Sequence, residues 1–591
     1  MALIFLLLVP ATAGIWLLGW ARSTRGARAH DVAVAASIVA LVVALFCAWV
    51  RPEVDAPWVP ALGLRWHFAL DGISIPLVLL TAALTVGVVL HSRGREPGRG
   101  ADGEGSTATF YACLLLVEFA ALATFVTRDA IGFFIAFELV LIPMWVLIAR
   151  FGDEHASEAV RGDASNRFVF FTVLGSTLML LGILLLVTGS GTSDLTVLAA
   201  RHGGGLPVGR QVVIAALLVA GLGIKVPLWP AHTWLPPAHT VAPTAGSVLL
   251  AAVLLKMGTY GIIRVAMPTV PQGFGVVAPW LAVGGVVGIL WGGLACLVER
   301  DLKRLVAYSS VAHMGFVALG LASGTQTGLQ AALFANIAHG LVSALLFFVV
   351  GGLKERWGSS DLTVARDALR ETSPRMGYAL VVGFAAALGL PGLVGFWGEF
   401  LAVYAAWSPA AGRPTGLFRV LAVLAVLGFA LAAGYALRVL RLVWAGRPDQ
   451  AGAVAAAQTE APGIRTHTQP AGPPGQAAAT ASPEPTGGSG ATAHPGPTGG
   501  SGATAYPWPA GQSAPGSPTG SLRWSPQGPT RVDARGREWG VIAVLAAAVI
   551  AAGVMPRPLL AITARETAAI INGVREPTVV TPTSTIVEAG R

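Results

Sequence analysis

Seven ionisable side chains, Glu118, Glu138, Lys225, Lys256, His313, His339 and Glu399, stand deep inside long apolar runs of this chain. At mid-bilayer each would cost roughly 2.5 to 3.5 kcal/mol if it faced lipid, so they are expected to face one another or water. Carboxylate, amine and imidazole side chains can be shifted toward one another in proton affinity by burial and pairing. That mixture suits a proton relay, and its spread over seven runs suggests a lateral line rather than one pocket. Lysine usage sharpens the point, because Lys225, Lys256, Lys303 and Lys354 are the only lysines among 39 basic residues. Arginine is effectively always protonated, whereas a lysine taken out of water can release its proton. Two lysines kept in the middle of apolar runs mark a place where a proton is gained and lost.

Plainer roles compete for the same residues. Lysines near helix ends snorkel to the interface, but Lys225 and Lys256 lie too deep in their runs for that to be the expected reading. His313 and His339 could be interhelical hydrogen bonders, and Glu118 could pair with an arginine. His232 and His239 read as structural caps around a loop. Asp71, in the run DGIS, reads as a helix N-cap.

The elements that hold these groups are membrane helices. Hydrophobic residues make up 54% of the chain, charged residues 12%, and mean hydropathy is +0.68. Apolar runs of about 20 residues recur throughout, so the expected class is an all-α polytopic membrane protein with about 14 transmembrane helices. Basic residues concentrate in the odd-numbered loops, as at Arg22, Arg25 and Arg28, at Arg93, Arg95 and Arg99, and from Lys354 to Arg375. The positive-inside rule makes those loops cytoplasmic and both termini external. The net charge of +9 is mostly this topological signal, and no nucleic-acid partner is expected. Cys47, Cys113 and Cys296 stand singly, so neither an iron-sulfur nor a zinc site is expected. Gly98, Gly100 and Gly103 spell a dinucleotide-type glycine pattern, but in a polar loop with no strand before it.

The chain divides by pattern into five stretches. Residues 1–108 form an N-terminal segment of three helices. Residues 109–267 and 277–444 each hold five spans, and in both the fourth span is interrupted by proline and carries a charge. The first interruption has Lys225, Pro227 and Pro230; the second has Gly389, Pro391, Gly392, Gly395 and Glu399. Five is odd, so the second set must be inverted relative to the first, the inverted-repeat plan of transporters whose broken helices line the functional site. Pro227 cannot donate to the carbonyl of Gly223, nor Pro391 to that of Ala387, and freed carbonyls at membrane depth need a polar lining. Residues 447–538 are rich in Pro, Gly, Ala, Ser and Thr and repeat PTGGSGATA at Pro485 and Pro497, so a disordered cytoplasmic linker is expected. Residues 539–591 are expected to be the last transmembrane helix and an external tail.

Four motifs carry a family resemblance. They are FELVLIPM (Phe137 to Met144), PLWPAHTWLPPAHTVAPTAGSVLLAAVLLKMGTYG (Pro227 to Gly261), DLKRLVAYSSVAHMG (Asp301 to Gly315) and LPGLVGFWGEF (Leu390 to Phe400). Together they resemble the antiporter-like membrane subunits of respiratory complex I, most nearly the subunit M type, over about residues 60–445 and the final helix. The resemblance implies 14 helices with inverted five-helix repeats. It also implies that Glu138 pairs with Lys225, that Lys256 passes protons on, that His313 and His339 stand in the centre, and that Glu399 is the terminal acid on the exit side. Pro237 and Val241 stand where the family usually has acidic residues, so a carboxylate role in that loop is absent.

The expected function is proton translocation within NADH:quinone oxidoreductase, coupled to electron transfer that occurs elsewhere. No cofactor is expected in this chain; flavin, iron-sulfur clusters, NADH and quinone belong to partner subunits. Neighbouring antiporter-like subunits are the expected partners, and a bacterial inner membrane the expected location. Two rivals are a subunit of a multi-subunit cation/proton antiporter and a non-pumping structural anchor of a hydrogenase-like complex. Glu399 speaks against the first, since the resemblance places a lysine there in antiporter subunits.

Overall fold

The computed structural model describes residues 1–19, 26–60, 63–95, 104–364, 366, 368–446 and 533–575. In chain order the helices begin with α1 (Ala2–Gly19) and α2 (Gly26–Val50), followed by a hairpin of β1 (Glu53–Val59) and β2 (Leu64–Ala69). Next come α3 (Ser74–His91), α4 (Glu104–Val126), α5 (Ala130–Leu139), α6 (Leu141–Ala149), α7 (Glu158–Ser190), α8 (Leu195–Arg201), α9 (Val208–Lys225) and α10 (Leu235–Val241). The stretch from Thr244 to Thr269 alternates between α11 (Thr244–Leu249), a π-helical turn (Leu250–Leu254), α12 (Leu255–Gly261), a second π-helical turn (Ile262–Ala266) and α13 (Met267–Thr269). Then follow α14 (Pro271–Val298), α15 (Leu302–Ala322), α16 (Gln326–Trp357), α17 (Leu369–Thr372), α18 (Pro374–Ala387), α19 (Val394–Trp407) and α20 (Thr415–Val439). A final span (Gly536–Val554) and a terminal helix (Arg557–Arg575) complete the described chain.

Thirteen of the described helices, some of them joined segments, are long and apolar enough to cross a membrane. The chain is therefore a multi-pass membrane protein of the all-α class. The second interrupted span, broken at Gly389 to Gly395, is not among the thirteen because it is split. Its halves α18 and α19 have 14 residues each, about 21 Å apiece at 1.5 Å per residue, short of a core about 30 Å thick. The other interrupted span ends as α9 at Lys225 and resumes as the seven-residue α10.

Local chemistry sets these boundaries. Asp129, Asp194, Asp301 and Thr325 cap α5, α8, α15 and α16, each accepting N–H groups of the first turn. Gly389 (φ 73°) and Gly392 (φ 91°) make the break between α18 and α19 in a backbone region that side chains resist. Gly285 and Gly315 let α14 and α15 approach closely, since a Cβ on either would press on the other's carbonyl oxygen.

Three features differ from the expectation. The hairpin β1–β2, antiparallel from Glu53 to Ala69, gave little signal because it lies in the loop between two spans. The tail expected after the last span contains the terminal helix, which packs over Gly72 and accepts a hydrogen bond at the Ala564 carbonyl from Gln326 at 3.2 Å. Of the linker expected over 447–538, residues 447–532 lie outside the described residues. Its last part, however, is ordered against α18, where Asp533 accepts from the N–H groups of Arg375 (2.9 Å) and Met376 (3.3 Å).

Candidate functional site

At the first break α9 ends on Lys225, and its liberated carbonyls are taken up locally. The Leu228 N–H donates to Gly223 at 2.9 Å, and the indole of Trp234 donates to Ile224 at 2.9 Å. The break thus supplies its own partners, as a helix interruption at membrane depth requires. Lys225 is 2% exposed, and its Nζ has no hydrogen-bond partner among the described residues. It lies 4.9 Å from the ring centre of Phe137 and 5.7 Å from that of Phe168, a cation–π setting. Glu138 follows Phe137 on α5, is within electrostatic reach of the amine, and has an unpartnered Oε1. The direct Glu138–Lys225 pair expected from the family resemblance is therefore not formed as an ion contact; the Phe137 ring occupies the amine's face instead.

The remaining four residues come together in a line. Lys256, fully buried on α12, donates from Nζ to the Ala251 carbonyl at 2.6 Å and to His339 Nδ1 at 2.6 Å. Ala251 belongs to the π-helical turn just before α12. His339 on α16 and His313 on α15 have ring centres 5.7 Å apart. His313 Nδ1 is 2.6 Å from Glu399 Oε1 on α19. The order is thus Lys256, His339, His313, Glu399, the reverse of the two histidines' order in the chain. Both Nε2 atoms are buried and without hydrogen-bond partners. Both rings line a cavity of about 20 Å³, together with Ala338, Ala387, Gly395 and Glu399, room for one water. Pro391 leaves the Ala387 carbonyl without its helical donor, so the second break contributes polarity at this cavity.

Two expectations fail here. Glu118 is fully buried and neither carboxylate oxygen has a hydrogen-bond partner among the described residues, so no described arginine pairs with it. His239 is no cap: it is fully buried, both ring nitrogens lack hydrogen-bond partners, and its ring stacks on Phe347 at 4.6 Å. Asp71, by contrast, does cap α3, accepting from Ile73 and Ser74 at 3.0 Å. Its second oxygen takes Arg264 at 2.5 Å and Arg128 at 3.0 Å. Burial alone would raise this carboxyl, but the two guanidinium groups outweigh burial and hold it below the ordinary carboxylate range.

The structure adds groups that motif reading passed over. At the end of the bundle opposite Asp71, a cavity of about 450 Å³ is lined by Arg95, Asp153, Lys303, Lys354 and Glu355. Lys303 is buried and its amine donates to the Ala242 carbonyl, while Lys354 meets Asp153 at 2.5 Å. Burial pushes the Asp153 carboxyl up, but Lys354 and the contacts to His155 bring it below its usual value. Arg95 pairs with Glu355 and Glu538, both at 3.0 Å. All four lysines of the chain thus serve interior or cavity positions, and the preference for arginine elsewhere was the signal that could have drawn Lys303 in. Thr259 and Asn336, bonded at 2.9 Å beside Lys256, carried no such signal. Among the described residues no cluster of His, Cys, Asp and Glu is arranged to hold a metal ion.

Comparison with known proteins agrees with this arrangement. A family model described as NADH:quinone oxidoreductase/Mrp antiporter, TM, matches residues 127–425, which contain all six residues from Glu138 to Glu399 discussed above. NAD(P)H-quinone oxidoreductase chain 4 1 of Synechococcus sp. (strain JA-3-3Ab) is 37% identical over 396 residues, 66% of this chain and 72% of that one. NADH-quinone oxidoreductase subunit M of Rhodobacter capsulatus is 35% identical over 408 residues, 66% and 73% of the two chains. A chain in the structure of respiratory complex I from Thermus thermophilus with bound NADH superposes with a TM-score of 0.72 at 26% identity, covering 97% of this chain and 100% of that one. A chain of the Mrp complex from Dietzia sp. DQ12-45-1b shares the fold, with a TM-score of 0.70 at 20% identity over 96% of this chain and 52% of that one. The chain belongs to the NADH:quinone oxidoreductase/Mrp antiporter family of transmembrane proteins.

Proposed function

We propose that this chain is a proton-translocating membrane subunit of an NADH:quinone oxidoreductase, of the subunit M type. The observation that carries the reading is the line Lys256, His339, His313, Glu399, with 2.6 Å contacts at both ends and a water-sized cavity lined by both imidazoles. A non-pumping anchor would have no use for it, since a lysine at mid-bilayer costs roughly 3 kcal/mol. The relatives with the highest similarity described above are quinone oxidoreductase subunits. An acid at Glu399, rather than lysine, favours the same assignment over a cation/proton antiporter subunit.

In this mechanism, electron transfer in partner subunits shifts Glu138 toward or away from Lys225. Bringing a carboxylate to 4 Å from an amine is worth about 4 kcal/mol at an effective dielectric of 20, and among the described residues Glu138 is the carboxylate that acts on Lys225. The proton then passes by Lys256 to His339, across the gap to His313, and to Glu399, from which it leaves on the external side. His339 accepts at Nδ1, and His313 donates at Nδ1 to the carboxylate, so each ring can carry the proton between its two nitrogens. Flavin, iron-sulfur clusters, NADH and quinone reside on other chains, neighbouring antiporter-like subunits flank this one, and the membrane is a bacterial inner membrane with both termini external. Lys225→Ala in the assembled complex should abolish NADH-driven proton pumping by inverted vesicles while leaving assembly intact. Full pumping in that variant would overturn the reading.

A further inference from the structure

A further feature lies on the outer surface of the bundle, away from the line of ionisable groups. Between α3, α16 and the final span runs a groove of about 440 Å³ whose walls include Leu80, Leu84, Leu341, Phe348, Val541 and Val544. Arg537 is its one ionisable lining residue and stands at the end of the groove where the final span begins. Along that span the groove reaches from Arg537 to Ala548, about 16 Å at 1.5 Å per residue. Along α3 it reaches from Leu80 to Leu90, about 15 Å by the same rise. Both lengths equal half of a hydrocarbon core about 30 Å thick, so the groove is one leaflet deep with a cation at its interfacial end.

We propose that this groove binds one anionic phospholipid, with an acyl chain along the wall and its phosphate on Arg537. The length of one leaflet and a cation at the interfacial end argue for a lipid, whose acyl chain and phosphate have that spacing. Room is made by Gly540, where an added Cβ would meet nothing within 4 Å, and Val544 beside it is 69% exposed. Arg537 is exposed and makes no hydrogen bond or ion pair with another described residue. Its neighbours Arg95 and Arg356 are already held by Glu538. A tail gains little by leaving lipid for an apolar groove, so selectivity must come from the phosphate and the guanidinium.

The full-length chain, with whatever chains copurify, is stripped in mild detergent, reconstituted into nanodiscs of phosphatidylcholine with a minor share of phosphatidylglycerol, and analysed for lipid retained per chain. The native protein should retain one phosphatidylglycerol, preferred about fivefold over phosphatidylcholine, the factor a single interfacial basic residue supplies. Arg537→Gln should lose the preference while still retaining a lipid, and Gly540→Trp should lose the lipid itself. Arg565→Gln, on the terminal helix, should change neither. An undiminished preference in Arg537→Gln, undiminished retention in Gly540→Trp, or a partner helix seated in the groove would each overturn the proposal.

Discussion

Replacing Lys256 by arginine separates a proton carrier from a structural cation more sharply than deletion does. The native amine makes two bonds of 2.6 Å, to the Ala251 carbonyl and to His339 Nδ1. Arginine keeps the charge and the donors, so the family of hydrogen bonds can re-form with modest repacking. What it cannot do is release a proton: at pH 7 a guanidinium is effectively always protonated. If Lys256 hands its proton to His339 in each cycle, Lys256→Arg should lose pumping through this subunit almost completely. Lys256→Met is the companion variant. It removes two charge-assisted bonds, each worth roughly 1.5 to 3 kcal/mol, and also the roughly 3 kcal/mol cost of placing a lysine in the membrane, so assembly should survive. The assay is NADH oxidation and vesicle acidification measured on the same preparation. Normal acidification per NADH with either residue at position 256 would refute a carrier role.

Other outcomes follow from the same geometry. Glu399→Gln leaves His313 a neutral partner in place of the carboxylate 2.6 Å away, and should lower pumping at least about tenfold, a loss of some 1.4 kcal/mol of charge stabilisation; unchanged acidification would place the terminal acid elsewhere. Arg264→Leu leaves Asp71 with Arg128 alone and, discounting for partial exposure, should cost up to about 3 kcal/mol, read as a lower thermal midpoint; an unchanged midpoint would make the cluster dispensable. Lys354→Met tests the depressed Asp153 carboxyl. A carboxyl held below its unfolded value adds stability that is complete above about pH 4 and lost as pH falls through the folded value. The gap in thermal midpoint between native protein and Lys354→Met should therefore be present at neutral pH and close in acid; a gap that widens in acid would contradict the sign.

Much of the architecture was legible because membrane burial writes itself into composition. Apolar runs gave the spans, and Pro227 and Pro391 gave the two places where a helix cannot continue. The site was legible only in part. Charge at membrane depth marked Lys256, His313, His339 and Glu399 individually, but their adjacency depends on how α12, α15, α16 and α19 pack, and no spacing within one helix encodes that. The order of the two histidines is set by packing in the same way. The π-helical turns flanking α12 were invisible because π geometry has no composition of its own. Glu138 and Lys225 were expected in contact, yet the amine sits on an aromatic ring, an arrangement that neither residue type predicts. Nothing in its own segment, where Asp301 and Arg304 are its charged neighbours, marks Lys303 as buried; only the fold carries its amine inward to Ala242.

The central claim is that a proton crosses the gap between His339 and His313. The most direct measurement fills the cavity that both rings line without touching an ionisable group. Ala338 lines the cavity of about 20 Å³, and Ala338→Val adds bulk there at an overpacking cost of about 1 to 3 kcal/mol, which an assembled complex should tolerate. Protons translocated per NADH oxidised should fall in this variant while NADH oxidation and assembly persist. An unchanged ratio would contradict the path from Lys256 to Glu399.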